Sequence, residues 1–396
     1  MLTKKTILKK LRNKKYIIST KLLLFLVLFL IIYVFENSNL SENLFSKRHA
    51  IEFLKNFYLE DLNNINYNFT NNNAPNISVI IPLFNCQNSI ENSIKSIQLQ
   101  TFTNYEIILI NDFSMDNTSN IINSLKEKDS RIKIINNNKN MGTLYSRSVG
   151  ALSAKGKYIY CLDNDDLFYD ENLFKRIYEI AEETDYDIVG FKSYFAKKYS
   201  PKFKLSDINV GLFNHHKINL SLTQPKLGLF PISKNGKYFS NDHHVWGKSI
   251  KSKIYKTAVN YLGKINYSFY NCWTEDVSIV FVLFNFAQSY IFSGIFGIIH
   301  LVYKQNTTHT LSDSKKLMAE LFFLNIIIDF IQNKESNKNI IIEKLISILK
   351  SKYLEIFNKD HIHFLHLIIK KILIIKTLNK NEKELIFKYI RKIKSK

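Results

Sequence analysis

Between residues 77 and 162 the chain switches repeatedly between two hydrophobic rhythms. Unbroken apolar runs mark buried strands: ISVIIPLF at 77–84, YEIILIN at 105–111, RIKIIN at 131–136 and KYIYCL at 157–162. Between them the apolar positions recur at helical spacing. Ile90, Ile94 and Ile97 share one face of a helix predicted over 88–100, and Asn88 with Glu91 makes a capping box at its start. A second helix is expected from a cap at Asp116 to Lys128, and a third over 143–154. Strands alternating with helices predict an α/β fold, with a mainly parallel sheet joined by right-handed crossovers.

Ligands of such sheets lie beyond the carboxyl ends of the strands. Asn85 follows the first strand, Asp112 the second, and the acid cluster Asp163, Asp165 and Asp166 the fourth. Three carboxylates in four positions repel one another unless water screens them or a cation sits among them. The residues alone leave both readings open, because a solvated loop or a helix cap at Asp163 or Asp166 has the same composition.

The order of four blocks goes further. They are SVIIPLFN at 78–85, NDFSMDNT at 111–118, NMGTLYSRSVG at 140–150 and the DNDD stretch at 163–166. Together they resemble the nucleotide-sugar half of a family 2 glycosyltransferase. The resemblance implies a GT-A fold, a Rossmann-like sandwich, and an inverting transferase that uses a nucleotide sugar. Asn111, Phe113 and Ser148 stand where the family more often has Asp, Gly and Asn. By resemblance, Pro82, Asn85, Asp112, Ser114, Gly142, Arg147 and Asp163 line the donor site. Asp112 is expected to accept from a uracil N–H and Arg147 to face the diphosphate, which guanidinium geometry suits. Gly142 and Gly150 are expected to allow close backbone approach and packing.

The leaving diphosphate gains charge as the sugar bond breaks, and a divalent cation on hard oxygen ligands stabilises it. Manganese or magnesium is therefore expected at Asp165 and Asp163, with Asp165 the direct ligand. Further along, NCWTEDV at 271–277 resembles the family's base motif. Asp276 is the expected base and Glu275 its neighbour; the same acids also suit a helix N-terminus. Trp246, in the HHVWGKSI block at 243–250, is read either as a platform for an acceptor sugar or as core. His243 and His244 are not read as a metal pair, because neighbours on a strand face opposite ways. His300 is read as core or surface in preference to a third metal ligand.

Composition adds the ends. The net charge is +21, and residues 1–21 and 361–396 together carry +16 of it. Basicity confined to the ends, without interleaved aromatic platforms, argues against nucleic-acid binding and for a membrane-facing role. The fourteen apolar residues at 22–35 are short for a bilayer span, but no small-residue cleavage site follows them. They are read as a signal anchor of a single-pass type II membrane protein, with the basic end in the cytosol. The three cysteines form no zinc pattern or disulfide framework.

The expected organisation is a basic N-terminus (1–21), an anchor (22–35), a stem (36–75), a donor half (76–190), an acceptor half (191–312) and a basic helical extension (313–396). The expected activity is transfer of a sugar, from UDP by resemblance, to a hydroxyl on a glycan, lipid or protein. The expected site is a Golgi or endoplasmic reticulum lumen in a eukaryote, with the cytoplasmic face of a bacterial inner membrane as the alternative. Competing readings are an inactive sugar- or nucleotide-binding module of the same fold and a metal-dependent phosphatase. Leu167 stands where that phosphatase pattern expects Thr or Ser.

Overall fold

The computed structural model describes residues 74–198, 209–212, 244–263, 275–303 and 313–331, with isolated positions after 367. Strand β1 (Ile77–Leu83) is central. It pairs in parallel with β2 (Tyr105–Asn111) on one side and β4 (Tyr158–Cys161) on the other. Strand β3 (Ile132–Asn136) extends the sheet beyond β2, again in parallel. Helices α1 (Ile90–Gln98), α2 (Thr118–Lys128) and α3 (Thr143–Ser153) make the crossovers. The predicted strand–helix alternation over this half is borne out.

Beyond β4 the sheet changes character. The remaining strands are β5 (Leu167–Phe168), β6 (Ile188–Lys198), β7 (Asn209–Leu212), β8 (Lys248–Lys251) and β9 (Tyr290–Tyr303). Their order from β4 is β8, β6, β9, β5, with β7 on β6. Four pairings here are antiparallel, β4–β8, β6–β8, β6–β7 and β5–β9, so among the described residues the sheet is mixed. The longest pairing of this half, β6 with β9, is parallel, so the expected mainly parallel sheet carries short antiparallel pairings in its second half.

Period-two alternation along β1 feeds two cores. Ile77, Val79 and Ile81 pack with α1 and with α4 (Leu173–Thr184). Ile80 faces the other way, into a core with α3, α5 (Ser252–Leu262), α6 (Glu275–Phe286) and α7 (Asp313–Ile331). Gly150 lets α3 settle on the strands: a Cβ there would lie 2.6 Å from Ile80 Cγ2 and 2.8 Å from Ile110 Cδ1. Helix starts differ from expectation. Ser89, not Asn88, precedes α1 and makes no side-chain cap bond. Asn117 precedes α2, while Asp116 Oδ1 still accepts from the Thr118 N–H at 3.0 Å.

The predicted anchor at 22–35, the stem and most of the predicted extension lie outside the described residues. No helix among the described residues is long and apolar enough to cross a membrane.

Candidate active site

The carboxyl ends of β1, β2 and β4 form one edge, as the alternation predicts. The β1 and β2 tips are laced together. Asn85, at a φ of 49°, accepts from the Met115 N–H at 2.8 Å. Its own N–H donates to Ser114 Oγ at 3.1 Å. Phe113, at a φ of 65°, stands half exposed between Asp112 and Ser114. Pro82 is buried in β1, and its carbonyl accepts from Asn164 Nδ2 at 3.0 Å.

Asp112 is buried and committed to the loop that enters α3. Its carboxylate accepts from Asn137 Nδ2 at 2.8 Å, the Met141 N–H at 2.8 Å and the Gly142 N–H at 2.7 Å. Gly142 takes a φ of 86° where α3 begins, which a glycine adopts without steric cost. A carboxylate offers about four acceptor directions, so Asp112 has about one left for a ligand N–H. Its structural work here was not legible in the sequence.

The three clustered acids part company. Asp166 turns inward, is fully buried, and accepts from the Leu301 N–H of β9 at 3.0 Å. His300 Nδ1 lies 2.9 Å from both Asp166 oxygens. Burial opposes the imidazolium, but the charge and hydrogen bonding of Asp166 carry His300 up to about 9. Asp163 turns to Arg147. Asp165 makes no ion pair with a protein cation among the described residues. Burial, then the charges of Asp166 and Asp163, push its carboxyl up to about 8.

Arg147, expected to face the diphosphate, is buried among the crevice acids at 2% exposure. One guanidinium nitrogen donates to Asp276 Oδ1 and another to Asp163 Oδ1. Burial works against its charge, but Asp276 and Asp163 hold its pKa well above the ordinary value. A single planar group thus joins the metal-motif acid to the predicted base, reaching an Asp276 that lies 129 positions along the chain from Arg147. Asp276 and Glu275 open α6, where the helix dipole favours them. Burial and the neighbouring Asp276 raise Glu275 to about 8.

Trp246 is corrected to core. It is 2% exposed and stacks with His244, at 4.2 Å between centroids, and with His300, at 5.5 Å. No sugar can lie on it. The sequence missed His244, whose Nδ1 lies 3.9 Å from Asp276 Oδ2. Nothing in the chain distinguishes it from His243; folding alone brings it to α6.

The residues fit a divalent cation in one respect. Among the described residues Asp163, Asp165, Asp166, Glu275 and Asp276 gather around Arg147 and His300, with His244 3.9 Å from Asp276, so carboxylates outnumber cations in the crevice. Among the described residues no group of three His, Cys, Asp or Glu side chains could hold a metal by itself. A cation here would take Asp165 and draw its other ligands from phosphate and water, as magnesium commonly does.

A mixed α/β sheet with an acidic crevice beyond the strand tips is consistent with a GT-A fold. Residues 78–244 match the sequence model of the family described as Glycosyl transferase family 2, and this part of the chain is a family 2 glycosyltransferase domain. The chain is 33% identical over 113 residues to Glycosyltransferase GlyG of Streptococcus pneumoniae serotype 4, covering 28% of this chain and 37% of that one. It is 36% identical over 122 residues to the Escherichia coli UDP-Glc:alpha-D-GlcNAc-diphosphoundecaprenol beta-1,3-glucosyltransferase WfaP, covering 31% of this chain and 47% of that one. The chain thus spans less than half the length of these relatives. The fold resembles that of S. aureus TarS 1-349 in complex with UDP-GlcNAc, with a TM-score of 0.52, 16% identity, and 75% and 81% of the two chains covered. The same TarS fragment with UDP aligns at a TM-score of 0.51 with 17% identity over 74% and 80%.

Proposed function

We propose that the protein is an inverting glycosyltransferase that moves a sugar from a uridine-diphosphate donor to a hydroxyl of a glycan, lipid or protein. The observation that carries this is the charge imbalance of the crevice. Among the described residues five carboxylates stand against one guanidinium and the imidazoles of His300 and His244, and Asp165 is in no ion pair. Such a crevice repels a diphosphate unless a cation comes with it. Bound at Asp165, with Asp163 beside it, manganese or magnesium would supply charge stabilisation to the leaving diphosphate. The protein's own residues do the rest. Asp112 and the loop it holds shape the nucleotide end, and Asp276 takes the proton of the attacking hydroxyl. A base acting opposite the leaving group gives inversion. The names of TarS ligands and of the E. coli relative support a uridine nucleotide.

The matched relatives named above are bacterial, which supports the cytoplasmic face of a bacterial membrane, with the run at 22–35 lying on the membrane and not crossing it, over a Golgi or endoplasmic reticulum lumen. The test is donor turnover by the full-length protein over a panel of UDP- and GDP-sugars with manganese. One donor should be consumed, chelator should stop it, and Asp165→Asn and Asp276→Asn should each lower kcat by at least about 100-fold. Chelator-insensitive turnover by Asp165→Asn would sink the metal assignment. Absence of turnover with every donor would sink the transferase.

A further inference from the structure

His244 stands beside the proposed base. Asp276 presents its Oδ1 to Arg147, while its Oδ2 faces His244 Nδ1 across 3.9 Å. That gap is too long for a direct hydrogen bond. It is the right width for one oxygen atom between them. Two hydrogen bonds of about 2.8 Å meeting at one oxygen span 3.9 Å when they diverge by about 90°, a tighter angle than the roughly tetrahedral one of a hydroxyl, so a small opening of the gap completes the fit. The imidazole is also held still. It stacks on the buried Trp246 within 12° of parallel, and the His244 carbonyl accepts from the buried Lys248 Nζ at 2.7 Å. Both sides of the gap keep some access to solvent, at 21% and 18% exposure for the His244 and Asp276 side chains.

We propose that His244 is a second catalytic residue on the acceptor side, holding the acceptor hydroxyl against Asp276. This rests on the transferase reading above. The Nδ1–H donates to one lone pair of the acceptor oxygen, and that oxygen's proton points at Asp276 Oδ2. The other lone pair forms the bond to the sugar's anomeric carbon. The proton passes to Asp276, and the bond from that carbon to the diphosphate breaks with its electron pair leaving on phosphate. His244 itself gains and loses no proton in this step.

Two substitutions separate the nitrogen from the ring. His244→Phe keeps the stack on Trp246 and removes Nδ1. His244→Asn loses the stack and restores an amide nitrogen near the Nδ1 position. In full-length protein, donor hydrolysis, with water in the acceptor's place, gives kcat and KM, and calorimetry gives UDP affinity. His244→Phe should lower kcat at least about tenfold with donor KM and UDP affinity unchanged, and His244→Asn should recover part of the loss. Wild-type kcat in His244→Phe, or an equal loss in His244→Asn, overturns the proposal. Asp276→Asn is the control. If it retains turnover, the base reading itself fails. If it is dead while His244→Phe is fully active, only the His244 proposal fails.

Discussion

Arg147 is buried, yet it keeps its charge because two carboxylates flank it. The fork geometry of a guanidinium lets one side chain reach both Asp163 and Asp276; a lysine ammonium is a point charge on a flexible stem. Arg147→Lys should therefore keep the charge and lose the alignment. The expected outcome is a fall in kcat of about 100-fold with a smaller effect on UDP affinity, measured by donor turnover and calorimetry. A variant with normal kcat would show that joining the two acids has no catalytic consequence. The same residue marks a limit of sequence reading. Its block was legible in 140–150, but its partners were not, because Asp276 lies 129 positions away. Trp246 repeats the lesson. An aromatic beside a site reads equally as platform or core, and only its 2% exposure decides.

At the scale of elements, Asp129 ties three of them together. It follows α2, and its oxygens accept from the Arg131 N–H and guanidinium at the start of β3 and from Gln98 Nε2 of α1. Burial would raise its pKa, but the hydrogen bonds from Arg131 and Gln98 lower it below the ordinary 3.8. The folded value lies below the unfolded one, so the stabilisation is present above about pH 4 and is lost as pH falls through the folded pKa. Asp129→Asn should cost about 3 kcal/mol in urea unfolding at pH 7 and much less near pH 2. An equal cost at both pH values would mean that charge plays no part. The elements themselves were the most legible layer. Four apolar runs and three helical repeats matched β1 to β4 and α1 to α3 within about two residues, since local periodicity decides which face is buried. The capping box at Asn88 was not realised, because Gln87 and Cys86 are drawn to the β2–α2 loop instead.

Over the whole molecule, the described residues between 74 and 331, with Ile368 in the core, supply the described fold and the candidate site, while the apolar run at 22–35 lies outside the described residues. If that run anchors the protein, removing residues 1–70 should move it from the membrane fraction to the soluble fraction and leave its urea midpoint unchanged. Retention in the membrane fraction would assign the attachment elsewhere, the basic carboxyl end at 361–396 being the next candidate. The sequence by itself determined the parallel half of the sheet, the edge where its chemistry gathers, and the acids that gather there. Hydrophobic period and strand-to-helix alternation are local, and handedness carries them to a topology. Tertiary structure alone decided that the other half mixes antiparallel pairings with the long parallel pair β6–β9, that Asp166 turns inward to β9 while Asp165 stays without a cationic partner among the described residues, and that Arg147 and His244 meet Asp276. Those contacts join positions far apart in the chain, and which carboxylate faces a cation depends on burial and neighbours that no local pattern encodes.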